Sequence, residues 1–484
     1  MKLEKKAMRR QIDSALVAVA LTIFWVTLAA PSVGFSQNPP MPDMPMPNMP
    51  SPAATPAEQR PSIETGLTLA ELQEMAVNNN PTLAQAAAEI RAATARRLQS
   101  GLYPNPTVGY QGEQVRAGNQ RGGEQGFFVS QDLVLGGKLG LNRQVFEQEK
   151  KQAEVEGDEQ RLRVTNSVRL FYYQALAAQE MVDLRRKLSK LAEDAVTTSH
   201  QLGNVGQADQ PDVLQAEVEG EQAQLAVVAA EQKQLRAWRA LAATVGKPEM
   251  HLAHLAGNLE ELPDDNPDQW LKAILQDSPA VKIAQLGVLR AEASMARAKR
   301  EQIPDLQLRG GLQENRELDA LTNRPIGLQG FAEVGVQIPI FNRNQGNVQA
   351  SLSEVERAQR EVQRVQLVLR ERAAMLMQNY VTSRATVEKY RNRMIPRAQK
   401  AYELYLKSYG RMAAAYPQVL ISQRTLFQLQ GDYIAALESL WGNAIALRGF
   451  LLTDGLEAPS RPGGMDQPVR ELNVPAPTTS MPPQ

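Results

Sequence analysis

The chain contains no cysteine, which excludes disulfides, thiolate metal centres, a thiol nucleophile and lipid attachment through sulfur. Aromatic side chains supply 5% of its 484 residues, while Ala, Gln, Glu, Arg and Leu dominate the middle. That composition favours long helices over a compact α/β enzyme. Neither sign of charge is in excess, with 53 Lys plus Arg against 53 Asp plus Glu, so no nucleic-acid partner is indicated. P-loop, GxGxxG and HExxH signatures are missing, and neither catalysis nor a cofactor is indicated. His251 and His254 stand at i, i+3, but they follow Gly246 and Pro248 and read as a surface loop rather than a metal site. Beyond residues 14–30 no stretch is apolar enough for a membrane helix. Any further passage through a membrane has to be made by strands.

What is present begins with an export pattern. Lys2, Lys5, Lys6, Arg9 and Arg10 precede the apolar run Ser14 to Ala30, and Gly34 and Ser36 are small residues at cleavage spacing. The expected signal peptide is 1–36, with the mature chain starting near Gln37; the competing reading is a retained anchor. Residues 37–66 are rich in proline and methionine and read as a disordered tether. Met41, Met44, Met46 and Met49 recur every two or three residues. Thioethers are soft ligands suited to Cu(I), so metal capture stands beside the plainer reading of a linker with incidental methionines.

The rest of the chain says one thing twice. Residues 67–250 form a first repeat, 251–267 a linker, 268–455 a second repeat and 456–484 a proline-rich tail. Each repeat opens with a short helix broken at a proline, NNNP at Asn78 to Pro81 and QDSP at Gln276 to Pro279. Each continues into an alanine-rich helix that stops before LYPNP or QIPDL. Extended segments follow. Leu306, Leu308, Gly310 and Leu312 alternate with polar neighbours, as do Ala332, Val334, Val336, Ile338 and Ile340. The first repeat shows a weaker version around Val108, Tyr110, Phe127, Val129 and Leu133. Each repeat is therefore expected to hold one hairpin of strands roughly 9–11 residues long, enough to cross a bilayer when tilted. Leu308 and Val336 are expected on the lipid side, Arg309 and Gln337 on the lumen side. Four strands are too few to close a barrel, and lone hairpins leave bare edges, so closure needs other copies of the chain.

Each hairpin ends in a matched phrase, LVLGGKLG at Leu133 to Gly140 and IPIFNRNQG at Ile338 to Gly346, and turns into a very long helix. About 65 helical residues at ~1.5 Å each reach roughly 100 Å. Val355, Val362, Leu369 and Leu376 are spaced by seven, as are Val228, Leu235 and Ala242, and Trp238 and Val245, the spacing of coiled-coil seams. The helices reverse at Leu202 to Glu217 and at Tyr409 to Gln423, where PDVL and PQVL restart a helix with proline in its first turn.

The NP-type openings, LGGK after the second strand, IPIF after the fourth and the PDVL-type turns, in this order and duplicated, resemble the TolC family of outer-membrane efflux channels. The likeness is greatest to its heavy-metal branch, of CzcC and CusC type, and covers about Leu67 to Leu452. It implies a mainly α fold with membrane β: long coiled-coil α-hairpins plus four β-strands per chain. A homotrimer would form a 12-stranded outer-membrane β-barrel and a periplasmic α-barrel. It implies a passive exit channel in the outer membrane, with its helical body in the periplasm. The channel would be fed by an inner-membrane RND-type pump through a periplasmic adaptor (membrane fusion protein). Heavy-metal ions are the first substrate reading, drugs or exported proteins the alternative. A pore-free periplasmic scaffold is a third reading, against which the alternating strands argue. The resemblance also implies that the adaptor engages the helix turns, at Gly203, Gly206, Pro211, Val213 and Leu214 and at Gly410, Pro417, Val419 and Leu420. Asp209 and Asp212 are the candidate periplasmic gate, with Arg411 and Tyr416 next; an aspartate there also fits a helix cap. The chain departs from the family pattern in having no cysteine to lipidate, in Val134 standing where the second repeat has Pro339, and in a second turn without acidic residues.

Overall fold

The computed structural model describes residues 66–113, 123–204, 209–262, 266–318, 324–409, 411 and 416–459, without the side chains of Leu202 and Tyr416. The export segment, Met41, Met44, Met46, Met49, Gly206 and Gly410 lie outside these residues.

Both repeats open with two helices joined at a shared cap. Helix α1 (Leu69–Asn79) starts from a capping box in which Thr68 and Glu71 bond each other's backbone N–H groups. Asn80 ends α1 and caps α2 (Pro81–Gln99): its side chain accepts from Thr82 N–H and donates to the Thr244 carbonyl at 2.8 Å. In the second repeat Asn266 caps α5 (Pro267–Asp277), and Ser278 caps α6 (Pro279–Arg300). The repeated proline thus occupies a first-turn position that needs no N–H donor, while the polar residue before it satisfies the orphaned donors.

Four strands form one antiparallel sheet in the order β1 (Thr107–Glu113), β2 (Glu124–Leu133), β3 (Leu306–Leu318), β4 (Pro325–Val336). The described lengths are 7, 10, 13 and 12 residues. The last strand is shorter than the sequence pattern suggests. Ile338 and Ile340 follow its end, since Pro339 has no N–H for a ladder and Gln337 to Ile340 leave the extended pairing. Gln337 is therefore not on either face of the sheet.

Helix α3 (Lys138–Asn204) is continuous over 67 residues, roughly 100 Å at ~1.5 Å per residue, and returns as α4 (Gln210–Val245). The second repeat follows the same path through α7 (Gln345–Lys389), a π turn (Tyr390–Met394), α8 (Ile395–Tyr409) and α9 (Tyr416–Arg448). The π turn answers Pro396. A proline ring inside a helix clashes with the carbonyl four residues earlier; widening the preceding turn lets Ile395 N–H bond the Tyr390 carbonyl instead. Both helix starts after the strands need a left-handed residue. Gly136 and Gly137 provide it in the first repeat, each at φ +70°, and Asn344 in the second, at φ +60°. Asp305 holds this corner: it accepts from Leu135 N–H at 2.9 Å and from the buried Lys138 Nζ at 3.0 Å, joining the end of one hairpin to the start of the other.

On α7 the seven-residue spacing is a packing seam. Val355, Leu369, Ala373, Tyr380, Ser383 and Val387 are buried, at separations of three, four, seven and fourteen that keep to one heptad stripe. On α4 the expected spacing holds toward the C-terminal end, where Trp238, Ala242 and Val245 are buried beside Ala237, Leu241 and Thr244, and fails at Val228, which is 55% exposed. Val228 belongs to a second apolar stripe with Leu214, Val218 and Leu225 that faces out of the chain.

The core sits at mid-helix, around Leu72, Leu176, Trp238, Tyr380, Leu437 and Leu440. Two straps close it. The inter-repeat segment, read from sequence as a surface loop, drives Leu255 and Leu259 into this core, and its carbonyls at Met250 and Leu259 accept from Trp238 and Trp441. The segment after α9 lies on α3 of the other repeat, with Asn166 donating to the Gly449 carbonyl at 3.1 Å and Gly455 N–H to Ser167 Oγ at 2.7 Å. The repeats are therefore interlocked.

Candidate transport conduit

The register of the sheet assigns each paired residue to a face, up to the irregularity between Asn315 and Leu318. Tyr110, Phe127, Leu312 and Gly330 form one cross-strand row, Gln131, Leu308 and Val334 another, and Leu133, Leu306 and Val336 a third. This face is apolar over its middle and outward, with Leu312 61% and Val334 67% exposed; Gln131 interrupts it toward one end and Gln125 and Glu314 toward the other. The opposite face carries the rows Thr107–Ser130–Arg309–Glu333 and Gln111–Gly126–Gln313–Gln329, with Glu113 and Glu124 above them and Asp132 below. Leu308 and Val336 thus share the apolar face and Arg309 the polar one. Among the described residues no helix is long and apolar enough to cross a membrane.

Between the two polar rows lies a row of another kind, Gly109–Phe128–Gly311–Phe331. Large and small alternate because each ring lies over a glycine. A Cβ on Gly109 would come within 2.4 Å of the Phe128 ring, and one on Gly311 within 2.8 Å of the Phe331 ring. Arg309 lies over both rings, its guanidinium carbon 4.2 Å from the Phe128 centroid and 5.8 Å from that of Phe331. It donates to Gln111 Oε1 and reaches the Glu333 carboxylate at 3.8 Å, so one side chain touches all four strands. Composition alone did not single out this row; the alternation of Gly and Phe at paired positions was the signal available.

At the far end of the helices, Asp209 and Asp212 sit in the first turn of α4, both exposed. Asp209 occupies the cap position, but its side chain accepts no backbone N–H; the turn is closed by its carbonyl, which takes Asp212 N–H at 3.0 Å. The cap reading therefore fails for its carboxylate. Gly203 lies in the last turn of α3, Pro211 and Leu214 are exposed, and Val213 is half-buried. In the second turn Arg411 and Pro417 are exposed and Leu420 is half-buried. Val419, expected to face a partner, is instead 3% exposed in the first turn of α9, buried within the chain. Tyr416 begins α9. Sequence reading missed the ties between the two hairpins, Arg424 to Glu219 at 2.5 Å and Lys233 to Glu438 at 3.2 Å.

A buried polar stripe runs along α3 where α2 and α6 cover it. Glu149, Gln152, Glu156, Glu159 and Gln160 are all buried. Glu156 Oε2 and, one turn earlier, Gln152 Oε1 have no hydrogen-bond partner. Burial first, then the nearby carboxylates of Glu159, Glu89 and Glu149, push the Glu156 carboxyl up to about 8, against a smaller opposing effect of Arg290. Among the described residues no group of His, Asp and Glu is placed to hold a metal ion; His254 Nε2 instead lies 3.1 Å from Gln179 Nε2.

Comparison with known proteins defines the class. The profile of the outer membrane efflux protein family matches residues 72–247 and 270–451, one match for each repeat. The chain belongs to that family, whose members are efflux channels and not enzymes. It is 26% identical over 390 residues to the cobalt-zinc-cadmium resistance protein CzcC of Cupriavidus metallidurans, covering 80% of this chain and 90% of that protein. It is 24% identical over 290 residues to the nickel-cobalt-cadmium resistance protein NccC of Alcaligenes xylosoxydans xylosoxydans, covering 59% of this chain and 64% of that protein. The solved structure of CusC, a protein described by its transmembrane channel formation, superposes with a TM-score of 0.63 at 18% identity, covering 85% of this chain and 99% of that one.

Proposed function

We propose that three copies of this chain form the outer-membrane exit duct of a heavy-metal efflux system. The observation that carries the pore is the sheet itself. It has one apolar face, one polar face and two unpaired edges, β1 and β4. Four strands cannot close with their interior filled by water, whereas twelve can. Because each chain contributes an even number of antiparallel strands, β4 of one copy runs antiparallel to β1 of the next, and the pattern continues around the ring. The apolar face then meets lipid and the polar face water. The outward stripe of Leu214, Val218, Leu225 and Val228 on α4 is the matching helical surface for a neighbouring copy.

Metal ions suit the polar face. Its charged side chains on the strands are Glu113, Glu124, Asp132 and Glu333 against Arg309, so the lumen attracts cations. The names of CzcC and NccC point the same way. Conduction is passive, with an inner-membrane RND-type pump supplying the energy and a periplasmic adaptor meeting the exposed turn residues Pro211, Leu214 and Pro417. Deleting the gene should make cells sensitive to zinc, cobalt or cadmium and leave tolerance of large antibiotics unchanged. Unchanged metal tolerance with new antibiotic sensitivity would replace the metal reading with drug efflux.

Asp209 and Asp212 are proposed to narrow the periplasmic mouth, where three-fold symmetry gathers six carboxylates in one ring. Since Asp209 makes no side-chain cap bond, its loss should not carry the stability cost of a lost cap. The double change Asp209→Ala, Asp212→Ala should raise resting conductance and weaken cation preference in single-channel recordings. Traces that match the parent would move closure to the second turn, to Arg411 and Tyr416.

A further inference from the structure

We propose that Arg309 is a selectivity-setting residue of the pore, kept against the barrel wall by the rings of Phe128 and Phe331 so that the lumen presents its carboxylates. This rests on the reading that the polar face of the sheet lines a water-filled pore. On that face Arg309 is the one cation among the strand residues named above, and its position decides how much of the carboxylate field a passing ion meets.

Three features hold it down. The glycines at 109 and 311 let the two rings lie close to the sheet. The ring faces take the guanidinium at 4.2 and 5.8 Å, an arrangement favoured by the negative face of an aromatic ring. Gln111 accepts one N–H, and the Glu333 carboxylate lies 3.8 Å away across the next strand. An arginine without these partners would extend into the water of the pore, where three copies would set three positive charges in the path of cations. Folded down, its charge is shared with Glu333 and the rings, and Glu333 itself remains 64% exposed.

Gly109 provides the test, because it touches neither the charge nor the ring chemistry. Its backbone conformation is ordinary for a strand, and the three atoms nearest a new Cβ belong to the far end of the Phe128 ring. Gly109→Ala therefore lifts the ring off the wall, and Arg309 with it. Purified parent, Gly109→Ala, Arg309→Gln and the double variant are compared in planar bilayers under a potassium chloride gradient, with Phe128→Leu as a second way to remove the platform. Arg309→Gln should shift the reversal potential further toward the cation limit. Gly109→Ala and Phe128→Leu should lower conductance and shift it the other way, and both effects should vanish in the Arg309→Gln background. Equal effects of Gly109→Ala with and without Arg309, or an Arg309→Gln reversal potential identical to the parent's, overturn the inference while leaving the pore in place. A parent that forms no pore overturns the pore reading, and the inference with it.

Discussion

Leu312→Arg is expected to remove the protein from the outer membrane, while Gln307→Arg, five positions earlier on the same strand, is expected to leave its amount unchanged. Leu312 is the middle residue of β3 on the apolar face, between Phe127 and Gly330 of the neighbouring strands. Gln307 is exposed on the polar face opposite Gly335. A charge on the lipid side at mid-membrane costs about 2–4 kcal/mol and close to nothing near the interface. An assembly of three chains meets that cost three times. Depth then orders a series: Leu312→Arg should be most severe, Leu308→Arg intermediate and Val336→Arg, at the end of β4, mildest. Heat-stable oligomer in outer-membrane fractions, measured by immunoblot, gives the amounts. Equal amounts of Leu312→Arg and Gln307→Arg would mean that the faces are wrongly assigned.

The second large effect is on stability against pH. The Glu156 carboxyl titrates near 4.5 in an unfolded chain and is raised to about 8 in the fold. Between these values the folded state binds a proton that the unfolded state has released, so stability falls as pH rises through this window and levels off above it. The slope is at most about 1.4 kcal/mol per pH unit for each chain. Glu156→Gln keeps the shape and a donor while removing the titration. Its melting temperature should match the parent's near pH 4.5 and exceed it increasingly up to pH 8, the difference then staying constant. A variant that melts below the parent at pH 8 would show that the carboxylate is needed in its ionised form. The groups facing Glu156 come from three helices: Glu149 and Glu159 on α3, Glu89 on α2 and Arg290 on α6. The effect therefore reports on the packing of both repeats.

Much of this architecture was legible because period and punctuation agree. Proline after a polar cap marks the same helix break in both repeats, and the caps at Asn80 and Ser278 show why. Alternation gave the strand faces because a one-residue slip would reverse them. The seam on α7 was legible as well, since Val355 and Leu369, two heptads apart, are buried. On α4 the same spacing held at Trp238, Ala242 and Val245 and misled at Val228. Two apolar stripes share that helix, one packed within the chain and one, with Val228, facing out, and periodicity alone does not say which surface covers which stripe. The end of β4 was overrun because apolar alternation continues through Ile338 and Ile340 after Pro339 has ended the ladder. The inter-repeat strap was read as a surface loop because its two core leucines carry no period. Arg309 over the Phe128 ring was harder to see than the Gly and Phe alternation, because it depends on the pairing of β2 with β3, nearly two hundred residues apart in the chain, which only register reveals.

The central claim, that three copies close one barrel, is tested most directly at the open edges. The chain has no cysteine, so every disulfide formed is an introduced one. Tyr110→Cys on β1 is combined in turn with Gly330→Cys, Ala332→Cys and Val334→Cys on β4, all on the apolar face, and outer membranes are oxidised. Within one chain these strands are separated by two others at ~4.8 Å spacing, too far for a disulfide, whose Cβ atoms lie about 3.5–4.5 Å apart. Cross-links must therefore join separate chains. The expected result is that one register gives a ladder of one, two and three chains on a denaturing gel and nothing larger. Monomer alone at every register, or a ladder that continues past three, would contradict a closed trimeric barrel.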